Sequence, residues 1–168
     1  ITSCWQATDD IKEHMPHFLE NHDEQRIASA YFAGNAEKAK PALAAGALMS
    51  PGAYMVYAGQ EIGEAGMDAE GFSGNDGRTT IFDYWNPASL QKLTAPAFEK
   101  KLTPEEAALY DYYQKILTLC NSRKAFEQGG FFDLQYANYG RDYGYNCDRQ
   151  YSFLRHFGRE VYLVAVNL

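Results

Sequence analysis

Apolar and polar positions along this chain fall into stretches of different period. His17-Phe18-Leu19 runs apolar into Glu20-Asn21-His22-Asp23, where the sequence turns polar within one residue. That profile predicts a buried strand leaving the core. Glu24 to Phe32 then predicts a helix, closed by Gly34-Asn35. Glu37 to Met49 is rich in alanine, which favours helix and permits close packing on a sheet, and Pro41 suits its first turn. Ser50-Pro51-Gly52 stops that helix, and Ala53 to Ala58 follows as a continuous apolar run ended by Gly59. Strands of parallel sheets, covered on both faces, read this way. Residues 17 to 58 therefore predict strand, helix, strand, a βαβ unit of a parallel sheet. Two strands neither close a barrel nor make a stable sheet, so the remainder is expected from elsewhere, and the chain reads as a fragment of a longer protein.

Further along, residues 62 to 87 form a long glycine-rich loop of the kind used as a lid or binding loop. In it Asn75-Asp76-Gly77-Arg78 predicts a turn, and Ile81-Phe82-Asp83-Tyr84-Trp85 restores aromatic residues before Asn86-Pro87. Thr103-Pro104-Glu105-Glu106 is a capping box with proline at the first helical position. Leu109, Tyr113, Ile116, Leu117 and Cys120 continue it as an amphipathic helix to about Ser122. From Phe131 the period becomes two. Strands are predicted at 131–136, 151–157 and 161–166, the last two joined by a tight hairpin at Gly158-Arg159. The fold class is thus α/β plus all-β, divided into residues 1–127 and an antiparallel β domain over 128–168. At the start, Thr8 or Asp9 is the expected cap of a short helix.

Composition narrows the function classes. The 168 residues are 46% hydrophobic and 15% aromatic, which describes a folded chain. A net charge of -7 argues against nucleic acid or an anionic membrane as partner, while a neutral ligand such as a sugar stays allowed. No stretch approaches the roughly 20 apolar residues of a membrane span. Cys4, Cys120 and Cys147 are widely spaced and give neither a zinc motif nor a disulfide framework. His14 and His17 stand three apart, but Pro16 breaks any helix that would place them on one face, so no metal and no cofactor are expected.

The candidate chemistry lies at His22-Asp23, an imidazole beside a carboxylate at a strand's C-terminal end, a common place for active groups in α/β folds. From the residues alone the leading reading is plainer: a strand-to-helix loop in which Asp23 caps the next helix. Tyr136, Tyr139, Tyr143 and Tyr145 are able to stack on sugar rings, but their place between strands points to packing.

Phe18-Leu19-Glu20-Asn21-His22-Asp23 resembles the last conserved region of the α-amylase family of retaining glycoside hydrolases, which runs Phe, two variable residues, Asn-His-Asp. Ala53 to Gly63 resembles that family's eighth barrel strand and the turn after it. The resemblance implies the C-terminal portion of a (β/α)8 TIM barrel, with strands seven and eight at 17–23 and 53–59, followed by the start of a β-sandwich domain. It implies an α-glucan or maltooligosaccharide as ligand. Retaining glycosidases act through two carboxyl groups about 5–5.5 Å apart, and in this family both stand on earlier strands. Asp23 matches the third carboxylate, which holds sugar hydroxyls and stabilises the transition state. His22 matches the adjacent sugar-contacting imidazole, and Asn21 belongs to the same motif. Arg78 and Asp76 are expected near the sugar, and Glu61 is expected to hold loop backbone or Arg26. The isolated chain is expected to be inactive. The alternative is a non-catalytic carbohydrate-binding module. Other expected partners are the rest of the parent barrel or a second copy of the chain. The compartment is open, with a periplasmic or secreted location favoured over the cytoplasm.

Overall fold

The computed structural model describes residues 1–66, 74–81, 87–140 and 144–168. The aromatic segment Phe82 to Trp85, with Asn86, and the tyrosine at 143 lie outside them. The chain forms two compact units that interleave along the sequence. One comprises Ile1–His17, Pro41–Tyr54 and Lys115–Leu168, and the other comprises Phe18–Lys40 and Met55–Gln114.

The first unit is built on an antiparallel sheet of β3 (Gly130–Asp133), β4 (Gln150–Phe157) and β5 (Glu160–Asn167), in that spatial order. Phe157 pairs with Glu160, so Gly158-Arg159 is the two-residue hairpin that its sequence predicts. Alternation decides the faces. Phe153 stands opposite Val164 and Tyr151 opposite Val166, and these side chains point inward, as does Phe131, which stands opposite Arg155. Against them packs α2 (Ala39–Met49), through Ala44, Leu48 and Met49, together with Phe126 of α5 (Lys124–Glu127). The small residues of α2 allow this approach. Cys120 donates to the Ala47 carbonyl at 3.3 Å, and burial pushes its thiol up to about 11. All three cysteines are free. The opposite face leaves Val161 and Leu163 of edge strand β5 exposed.

Two predicted elements differ here. The first helix, α1, is Thr2–Ala7, and Thr8 ends it instead of starting it, its hydroxyl donating back to the carbonyls of Cys4 and Trp5. The strand predicted over 131–136 stops at Asp133, whose carboxylate accepts the Gln135 N–H at 2.6 Å and turns the chain into α6 (Gln135–Asn138). Tyr136 and Tyr139 are consequently 65% and 74% exposed, not packed. Tyr145 is engaged as expected, bonded to Gln135 and Ser152.

In the second unit, helix α4 (Pro104–Ser122) contributes Leu109 and Tyr113, buried one turn apart, to a core that includes Ile27 and Ile62. Its capping box forms as predicted: the Glu106 N–H donates to Thr103 Oγ1 at 3.2 Å, and the Thr103 N–H donates to Glu106 Oε2 at 2.8 Å. The Tyr113 hydroxyl accepts from Gln60 Nε2 at 2.9 Å. A short helix, α3 (Ala88–Thr94), precedes α4.

The strand-helix-strand order is present, but the strands are short. β1 is His17–Phe18 and β2 is Tyr54–Met55, paired as a two-stranded sheet in which the His17 N–H donates to the Ala53 carbonyl at 2.8 Å. Ala53, Met55 and Ala58 are exposed, because the apolar run meets only one neighbouring strand among the described residues.

Candidate functional site

The helix predicted over Glu24 to Phe32 is absent, and its absence shapes the site. The backbone groups that would make a helix are taken by longer-range partners. The Arg26 N–H donates to the Gly77 carbonyl at 2.7 Å, the Ile27 N–H to Glu20 Oε1 at 2.8 Å, and the Tyr31 N–H to Ser29 Oγ at 3.0 Å. Side-chain acceptors that compete with the helical ladder produce turns. Residues 19–32 therefore fold as a series of turns over a polar core.

That core is centred on Arg26, which is fully buried. Its Nη1 donates to Glu20 Oε2 at 2.9 Å, its Nε to Thr79 Oγ1 at 3.0 Å and its Nη2 to the Ala58 carbonyl at 2.7 Å. Its guanidinium carbon lies 4.2 Å from the Tyr57 ring centre, and the Tyr57 hydroxyl donates to the Thr79 carbonyl at 2.7 Å. Burial pushes the Glu20 carboxyl above its ordinary range, and the hydrogen bond and charge of Arg26 pull it only part of the way back. Glu64 is also buried and accepts the Gly66 N–H at 2.7 Å. The assignment of Glu61 to Arg26 is corrected here. Glu20 is the partner, Glu64 is the carboxylate that holds loop backbone, and Glu61 Oε2 is buried with no hydrogen-bond partner among the described residues. Sequence reasoning quoted Glu20 only as a variable motif position. The available signal was its place directly after an apolar pair, since a carboxylate drawn into a core needs a cation.

On this base stands Asn21-His22-Asp23. Asn21 Oδ1 accepts from the N–H groups of Asp23 and Glu24 at 2.8 and 2.9 Å, closing an Asx turn. Asp23 thus caps no helix. His22 Nε2 lies 3.5 Å from Asp23 Oδ1, and the two side chains are 44% and 62% exposed. Arg78 and Asp76 are brought to the same place: Arg78 Nε donates to the Asp23 carbonyl at 2.7 Å, and its Nη1 donates to Asp76 Oδ2 at 2.9 Å. All five residues singled out in the sequence are therefore gathered. An exposed carboxylate and imidazole side by side offer acceptors and a donor to vicinal hydroxyls. Among the described residues no group of three or more His, Cys, Asp or Glu side chains is placed to hold a metal ion, and no helix is long and apolar enough to cross a membrane.

Solved structures of similar fold include AmyP in complex with maltose, 23% identical with a TM-score of 0.57, over 89% of this chain and 30% of that one. A mutant isomaltulose synthase from Erwinia rhapontici NX5, in complex with D-glucose, is 18% identical with a TM-score of 0.53, over 96% of this chain and 37% of that one. A mutant trehalose-6-phosphate hydrolase from Bacillus licheniformis, also 18% identical with a TM-score of 0.53, is matched over 90% of this chain and 34% of its own. This chain thus spans about a third of the length of the structures it matches. Such neighbours imply a fold that contains a TIM barrel. No curated protein gives a significant match. The catalytic-domain profile of α-amylase covers residues 2–133, from α1 through the Asn21-His22-Asp23 turn to β3, and on that match the chain belongs to the α-amylase family of glycoside hydrolases.

Proposed function

We propose that this chain is the C-terminal part of an α-glucan-acting, retaining glycoside hydrolase, and that Asp23 is its transition-state-stabilising carboxylate. Residues 1–127 would contribute the last two strands of the catalytic barrel with their helices, and residues 128–168 would begin the C-terminal β-sandwich domain. The supporting observation is the exposed His22-Asp23 pair, held by an Asx turn over the buried Glu20–Arg26 pair. An ionised Asp23 accepts hydrogen bonds from two neighbouring sugar hydroxyls, and His22 donates to a third position. Such bonds act on rate when they tighten as the sugar ring distorts toward the oxocarbenium-like transition state. The nucleophile and the acid/base are supplied by other strands of the family barrel, so the isolated chain binds without cleaving.

Titration calorimetry with maltotriose, on this chain and on Asp23→Ala, tests the reading. Binding that is lost in the variant supports it. Binding that Asp23→Ala leaves intact would move the sugar elsewhere on the chain and remove Asp23 from the site.

A further inference from the structure

Arg78 and Asp76 were placed by sequence among the sugar contacts, yet their hydrogen bonds run inward to the Asp23 turn. Three bonds join residues 23–26 to residues 76–78. Arg78 Nε donates to the Asp23 carbonyl at 2.7 Å, the Arg26 N–H to the Gly77 carbonyl at 2.7 Å, and Gln25 Nε2 to the Asp76 carbonyl at 3.1 Å. Asp76 in turn fixes Arg78 at two points, accepting its backbone N–H at 3.1 Å and its Nη1 at 2.9 Å. Gly77 makes the close approach possible. Its φ is +82°, and a Cβ there would stand 2.1 Å from Ser29 Oγ.

We infer that Arg78 is a positioning residue for Asp23, and that Asp76 is the splint that aims it. The peptide unit between Asp23 and Glu24 is planar, so its carbonyl and N–H move together. Arg78 holds the carbonyl, and Asn21 Oδ1 accepts the N–H. With the Asp23 N–H also held by Asn21 Oδ1, fixing both ends of that plane fixes ψ of Asp23, and with it the direction of the Cα–Cβ bond that carries the carboxylate. A guanidinium suits the task because its planar fork reaches the carbonyl through Nε and the Asp76 carboxylate through Nη1 at once, which an ammonium does not. The inference rests on the reading of Asp23 as a sugar-contacting carboxylate, but its test does not need the sugar.

The experiment is residue-resolved amide hydrogen exchange on the free chain, comparing wild type, Arg78→Gln and Arg78→Lys. Arg78→Gln should speed exchange at the Asp23 and Glu24 amides about fivefold, the factor that goes with one ordinary hydrogen bond. Arg78→Lys should fall between, and the amides of Leu109 and Tyr113 in α4 should not change. Unchanged exchange at Asp23 and Glu24 would overturn the inference. If maltotriose affinity then fell as well, Arg78 would be a direct sugar contact. A uniform rise that included α4 would also overturn it, as a global loss of stability. Failure of the wild-type chain to bind maltotriose would count against the glucan reading alone.

Discussion

Among the described residues each compact unit buries one arginine completely, and the two arginines solve that problem differently. Arg26 is given a carboxylate, Glu20, along with a hydroxyl and one carbonyl. Arg155 is given only carbonyls: Leu48 and Met49 at the end of α2, Phe126 in α5, and Gly129 just beyond it. Helix C-termini carry partial negative charge, so the ends of α2 and α5 replace a counter-ion. The substitute is incomplete. Burial lowers the Arg155 pKa to about 10, and its Nε finds no partner among the described residues. The difference matches what stands above each group. Carbonyls at helix ends lock a β-sheet to two helices and hold nothing else. The Glu20–Arg26 pair ties together residues 20, 26, 58 and 79, all irregular backbone, and the Asp23 turn rests on it. A loop region has no helix terminus to lend, so a full carboxylate is used.

Breaking the two clamps should separate them. Arg26→Met leaves Glu20 buried without its cation and should cost about 3–5 kcal/mol at neutral pH in urea unfolding. The loss should be smallest in acid. A carboxyl whose folded pKa is raised contributes stability that is fully present below its unfolded pKa and is lost as pH rises through the folded value, and Glu20 is already raised. Arg155→Met strands carbonyls and no charge. It should cost about 3 kcal/mol, and that cost should not vary across the range where carboxylates titrate. Equal pH dependence in the two variants would erase the distinction drawn between them. Tyr57→Phe removes the bond to the Thr79 carbonyl and should cost about 1 kcal/mol by the same assay.

The smallest effect belongs to a group outside both clamps. Burial works against ionised Glu106, but the Lys92 hydrogen bond, the Thr103 N–H and the Lys92 charge together hold its carboxyl below the ordinary range. Its contribution is therefore present above the unfolded pKa and lost as pH falls through the folded one. Glu106→Gln should flatten the acid limb of thermal stability and cost under about 1 kcal/mol at pH 7.

Where residues a few positions apart decide an element, the sequence determined it. The capping box at Thr103, the hairpin at Gly158-Arg159 and the alanine-rich α2 are all local, and each is found where its pattern lies; the polar break after Leu19 is not, since Phe18 is exposed and Glu20 is buried. The Asn21-His22-Asp23 motif was legible too, because a motif fixes residue types and order, whereas the bond from Arg78 to the Asp23 carbonyl spans 55 positions and was not. What the tertiary structure decided is every case in which a polar side chain found a distant partner. Glu24 to Phe32 has helical composition, but Glu20, Ser29 and Gly77 take its N–H groups. Arg26 chose Glu20 over Glu61, Asp133 ended β3 early, and Arg155 settled on four carbonyls far away in sequence. The physical reason is the same throughout. Periodicity reports which side chains leave water, whereas a buried charge or N–H is satisfied by whatever acceptor the packed chain brings within about 3 Å, and that geometry is written in no single stretch of sequence.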